Sequence, residues 1–166
     1  MWLFMISCYL LTGFSLLLYI LTGIQGYFQF PVFGLSHPSL ALLTASIYLF
    51  TETLIIFFFV GSGVDIKEYI KEGLADENHH RQSILIKKKI YPPTMLNILL
   101  VITVFVIGGA VDTNIIPHWV HGILFFITLI HFLKMVKTQN SCFRDTVDIR
   151  INIAEKGNVS NQTQSS

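Results

Sequence analysis

Four stretches of 18 to 22 residues, nearly free of charge, constrain this chain more than any other feature. They run from Trp2 to about Gly23, from Ser39 to about Val60, from Thr94 to Val111, and from His118 to about Val136. A hydrocarbon core of roughly 30 Å is crossed by about 20 apolar residues in helical form. In lipid the backbone must satisfy its own hydrogen bonds, so each stretch is expected to be a helix. The fold class read from the sequence is therefore an all-α integral membrane protein: four transmembrane helices in an antiparallel bundle, occupying residues 1–137. Residues 64–90 read as an amphipathic inner loop, and residues 138–166 as a polar tail.

Composition excludes the main alternatives. Of 166 residues, 52% are hydrophobic and 13% charged, against about 25% charged in ordinary soluble domains. Such a chain lacks the surface to be a soluble globular enzyme, and at a formal net charge of +1 it has no bulk basicity for nucleic acid. Cys8 and Cys142 are too few for a disulfide framework. The first span lacks a basic start and a small-residue cleavage site, so it reads as a retained helix rather than a signal peptide.

Direction follows from the basic residues. Lys67, Lys71, Arg81, Lys87, Lys88 and Lys89 lie between spans two and three. Lys134, Lys137, Arg144, Arg150 and Lys156 lie at and beyond the end of span four, which completes the 11 in the chain. Basic residues favour the cytoplasmic side, so both termini are expected there, in a membrane of the bacterial inner (plasma) type. Asn158-Val-Ser and Asn161-Gln-Thr match the glycosylation acceptor pattern, but that assignment puts them on the wrong side for it. The opposite loop, Gln25 to Pro38, is rich in aromatics (Tyr27, Phe28, Phe30, Phe33) that suit the headgroup level.

Within the cytoplasmic regions, the spacing from Val64 to Leu74 predicts that span two continues as an amphipathic helix. Lys87-Lys88-Lys89 reads as a headgroup-binding cluster before span three, with Pro92-Pro93 marking the helix start. His79-His80 read as a solvated turn. Val147, Ile149, Ile151 and Ile153 alternate with polar residues, the pattern of a short strand over 147–153 that a partner's sheet can accept.

Ionisable residues inside a membrane mark function or a specific pairing. Counted from the helix starts, Glu52 and His131 each lie roughly 20 Å deep, with Asn97 at nearly that level. The sequence therefore suggests a Glu52–His131 pair, able to relay a proton, hold a quinone headgroup or fix helix register. A second group gathers near the aromatic loop: His37, His118 and His121, with Asp112 close by in the short link. His118 and His121 can converge on zinc or copper, with His37 and Asp112 completing a set. Alternatively, His37 and one of them can be the two axial ligands of a haem. Left unligated, they are interfacial histidines at helix starts. Gly108-Gly109-Ala110 reads as a close helix crossing.

There is no nucleophile with its base and no phosphate-cradling loop, so no catalysis is expected of the chain itself. The leading functional expectation is an accessory or anchoring subunit of a larger membrane complex, respiratory or redox in character, whose partners are the lipid bilayer and other subunits. The alternative is an electron-transfer protein binding haem, copper or quinone through the histidines. The third is a small transporter with Glu52 lining its path.

Overall fold

The computed structural model describes residues 2–32 and 34–164, with side chains as far as Lys156; Phe33 and the two Asn-x-Ser/Thr sequences lie outside the described side chains. The chain forms four helices: α1 (Trp2–Phe28), α2 (His37–Lys71), α3 (Glu77–Asp112) and α4 (His118–Gln164). All four are long and apolar enough to cross a membrane. At about 1.5 Å per residue, the 35, 36 and 47 residues of α2, α3 and α4 are roughly 52, 54 and 70 Å long. Each exceeds the roughly 30 Å of hydrocarbon, and the excess lies at the end carrying the lysines. Helix α2 packs on α1 and α3, α3 on α4, and α1 more lightly on α4.

Local sequence sets the ends. Ser36 is the extended N-cap of α2, with Pro38 in the first turn, where its missing N–H removes nothing. Past Lys71, Gly73 takes a left-handed φ of +76°, and Leu74 N–H closes back on Tyr69 O at 2.9 Å. Only a residue without Cβ enters that conformation freely, so the chain reverses there. Asp76 then caps α3: its carboxylate accepts from His79 N–H, and its own N–H donates to His79 Nδ1. His79 is buried. The histidine pair thus opens a helix and does not form a solvated turn.

Two further expectations are corrected. Pro92-Pro93 do not start α3 but lie inside it, 15 residues after Glu77. Pro92 is exposed, so the backbone carbonyls its ring deprives of a partner can be solvated instead. The strand expected over 147–153 is helix, and there is no described strand for a partner's sheet to extend. The buried residues are Cys142, Phe143, Thr146, Ile149 and Ile153, which recur at helical spacing, while Ile151 is exposed. The period of two among the isoleucines is overlaid on a period of 3.6 that begins before them. This face joins Ile55, Phe58, Phe59, Ile66, Ile86 and Ile90 in one apolar core. Around that core, Asp65 pairs with Arg150, Lys89 with Asp145 and Lys156 with Asp76.

Candidate functional site

The C-terminal turns of α1 and α3 and the N-terminal turns of α2 and α4 meet around one open cavity of about 1710 Å³, whose rim carries the exposed Tyr27, Phe28 and Trp119. Drug-sized pockets span about 300–1,000 Å³, so this one has room for a large flat ligand. Two histidines stand edge to face within it. The His37 and His121 ring centroids are 6.3 Å apart and their planes 80° from parallel. Each ring sits against a glycine of another helix. A Cβ at Gly26 would stand 2.7 Å from His37 Cε1, and one at Gly108 would stand 3.1 Å from His121 Cε1. Gly109 has open space about it. Gly108 thus lets α4 bring the His121 imidazole against the α3 backbone.

The cavity is short of hydrogen bonds. His37 Nδ1, His121 Nδ1 and Gln25 Oε1 are all buried with no hydrogen-bond partner, and Gln25 is only 2% exposed. Each stranded polar atom costs about 1–3 kcal/mol, and three around one space mark a place suited to a ligand. The other end of the Gln25 amide has a structural duty: Nε2 donates to Leu35 O at 2.8 Å, holding the link between α1 and α2.

His118 and Asp112 are exposed and lie at the cavity margin. Among the described residues, no three His, Cys, Asp or Glu side chains are placed to share a metal ion. The structure brings together the two histidines furthest apart in sequence, and the adjacent His118 and His121 do not converge with a third ligand. Gln25 and Gly26 escape sequence reasoning because they fall in what reads as a loop, whereas α1 continues through them to Phe28.

Deeper in the bundle a second polar group forms, with different partners from those expected. Glu52 is 0% exposed, and its Oε2 accepts from Gln139 Nε2 at 2.8 Å, while Oε1 has no partner. His131 Nδ1 lies 2.8 Å from Asn97 Oδ1, and Asn97 Nδ2 donates to Tyr48 OH at 2.7 Å. The Glu52–His131 pair is thus replaced by two separate connections. The cause is helix register. Tyr48 meets Met135 and Glu52 meets Gln139, both 87 residues apart, whereas Glu52 and His131 differ by 79. That discrepancy of eight residues is roughly 12 Å along a helix. Counting depth from each helix start assumes that all starts lie in one plane, and α4 begins about two turns ahead of α2.

Compared with protein-family models, with curated proteins and with solved structures, the chain matches none. The reading of the site therefore rests on its geometry.

Proposed function

We propose that this chain is a membrane-embedded haem protein in which His37 and His121 are the axial ligands of a single haem. The separation of their rings carries the reading. Metal–imidazole nitrogen bonds are about 2 Å long. The ring centroid lies roughly 1 Å further on, so two imidazoles on opposite sides of one iron have centroids roughly 6 Å apart. The observed value is 6.3 Å. A bare zinc or copper ion takes three or four protein ligands, whereas a porphyrin supplies four nitrogens itself and asks the protein for two. The apolar walls, the glycines that let both rings recede, and the size of the cavity suit a macrocycle.

Bound there, a haem would supply one-electron chemistry, with a potential governed by its imidazole ligands and its dry surroundings. The chain's own contribution is to hold two imidazoles at fixed spacing and exclude water. In this reading it is the electron-carrying membrane subunit of a larger redox assembly. The lysine distribution supports an antiparallel bundle with both termini cytoplasmic, in a membrane of the bacterial inner type.

The test is the reduced-minus-oxidised absorption spectrum of the detergent-purified full chain, with haem counted per chain. One six-coordinate, bis-imidazole haem is expected, lost in His37→Ala and in His121→Ala but kept in His118→Ala. A protein that stays haem-free when expressed with ample haem, or full haem retention in the first two variants while helicity is unchanged, would overturn the proposal.

A further inference from the structure

At the opposite end from the histidines, one lysine is placed unlike its neighbours. Lys87 of α3 folds across Gly63 of α2. A Cβ at Gly63 would collide with Lys87 Nζ and stand 3.2 Å from Ser83 Oγ. Ser62, Gly63 and Ser83 are buried, and Lys87 itself is half-buried. A lysine at the edge of a membrane ordinarily extends its amine into water. This one has its amine pressed into a notch between two helices.

The notch offers it no countercharge. Lys89, two residues on, is held by Asp145 at 3.2 Å and by Ser141 at 2.9 Å, and Lys88 is exposed. Among the described residues Lys87 makes no ion pair: Asp65 is engaged by Arg150, Asp76 by Lys156 and Asp145 by Lys89, while Glu68 and Glu72 are exposed and make no bridge to it. The charge Lys87 does feel is another cation. Burial first, and then Lys67, hold its ammonium below the ordinary lysine range. Lys67 stands one turn past Gly63 on the same helix and is exposed, so the two cations flank the notch that holds the buried Ser83, and an oxyanion there relieves their repulsion and supplies acceptors.

Position identifies the anion. Gly63 lies three residues past the apolar run ending at Val60, and Lys87 seven before the run starting at Thr94. At about 1.5 Å per residue these are roughly 5 and 10 Å outside the hydrocarbon. The headgroup layer is roughly 5–8 Å thick on each side, so the Lys87 backbone stands just beyond it, while its amine, folded back onto Gly63, lies within it. We propose that Lys87 and Lys67, with the Ser83 hydroxyl, bind the phosphate group of an anionic phospholipid at the α2–α3 notch. Free phosphate has the same oxyanion chemistry but lacks the acyl chains that hold a lipid at that depth. The triple-lysine cluster is thereby divided: Lys87 serves the lipid and Lys89 serves α4.

Native mass spectrometry of the detergent-solubilised full chain tests this, with added phosphatidylglycerol, phosphatidylcholine or inorganic phosphate as probes. One phosphatidylglycerol per chain is expected to bind in preference to phosphatidylcholine. At about 1 kcal/mol per basic residue near an anionic surface, Lys87→Ala and Lys67→Ala should each weaken it about fivefold, and the double variant about 25-fold. Lys88→Ala should leave it unchanged, and Gly63→Ala, which evicts the amine while keeping both charges, should weaken it too. Unchanged phosphatidylglycerol binding in the double variant would overturn the site. Inorganic phosphate binding as tightly as the lipid, or phosphatidylcholine binding equally well, would overturn the assignment to an anionic lipid.

Discussion

Replacing Gln139 by Leu should destabilise the bundle far more than replacing Glu52 and Gln139 by Leu together. Glu52 is fully buried, one carboxyl oxygen accepts from Gln139 at 2.8 Å, and the other has no partner. Removing the amide strands the whole carboxyl group in an apolar interior. A stranded buried polar group costs about 1–3 kcal/mol, and hydrogen bonds to charged groups lie at the upper end. Gln139→Leu is therefore expected to cost about 2–3 kcal/mol. Removing both polar groups leaves nothing to satisfy, so the double variant should fall within about 1 kcal/mol of the parent. The coupling between the two positions is then about 2 kcal/mol, well above the additivity error of distant sites. For a chain of this size 1 kcal/mol moves Tm by about 2–4 °C, so the single variant should melt roughly 4–12 °C lower. Thermal unfolding of the detergent-solubilised full chain, followed by circular dichroism, reads this directly. Additive effects of the two substitutions would refute the pairing. Coupling of Glu52 to His131 in place of Gln139 would refute the helix register.

Three other outcomes are expected. Gly26→Val and Gly108→Val drive a side chain into His37 and His121, and each should abolish haem incorporation while helicity persists; haem content per chain checks it. The Asp76 carboxyl is held below its ordinary value of 3.8, first by Lys156 and then by the His79 N–H. The folded value is depressed, so its stabilisation is complete above the unfolded value and fades as pH falls through the folded one. Hydrogen-exchange protection over the first turn of α3, taken relative to the intrinsic rate at each pH, should therefore fall below about pH 4, and less so in Asp76→Asn. Reporter fusions after Gly34 and Thr113 should report one side of the membrane, and fusions after Asp76 and Ser166 the other; a signal from the Asp76 fusion on the Gly34 side would sink the topology.

The four helices were legible because twenty apolar residues in a row leave the backbone few options in lipid. Their ends were less so. Lys137 looks like the end of a span because charge begins there, yet the helix continues, since beyond the apolar run its buried face is supplied by α2 and α3 rather than by lipid. That face is written in Cys142, Thr146, Ile149 and Ile153, where a coincident alternation disguised it. Gln139 is hidden for the same reason: it falls in what reads as a tail, beyond any helix that faces Glu52. The histidines could be nominated from their place at helix starts, but their pairing depends on how far α4 is shifted along α2. No single-helix pattern encodes that shift.

Because α2 and α4 are each unbroken, a histidine at one end and an ionic residue at the other belong to the same rod. His37 and Asp65 lie about 42 Å apart along α2, and His121 and Arg150 about 43 Å apart along α4, by the helical rise. The Asp65–Arg150 contact joins the two rods at the end remote from the cavity, and the Glu52–Gln139 bond joins them again part-way along. The gap between the imidazoles is thus the open mouth of a pair of tongs. Two joints at different heights resist a relative tilt, since a tilt of about three degrees about the far pin, enough to move one ring by roughly 2 Å, would also pull the Glu52–Gln139 bond apart by about 1 Å. The distance between His37 and His121 is thereby set in part by contacts that lie far outside the cavity, carried to it by the rods themselves.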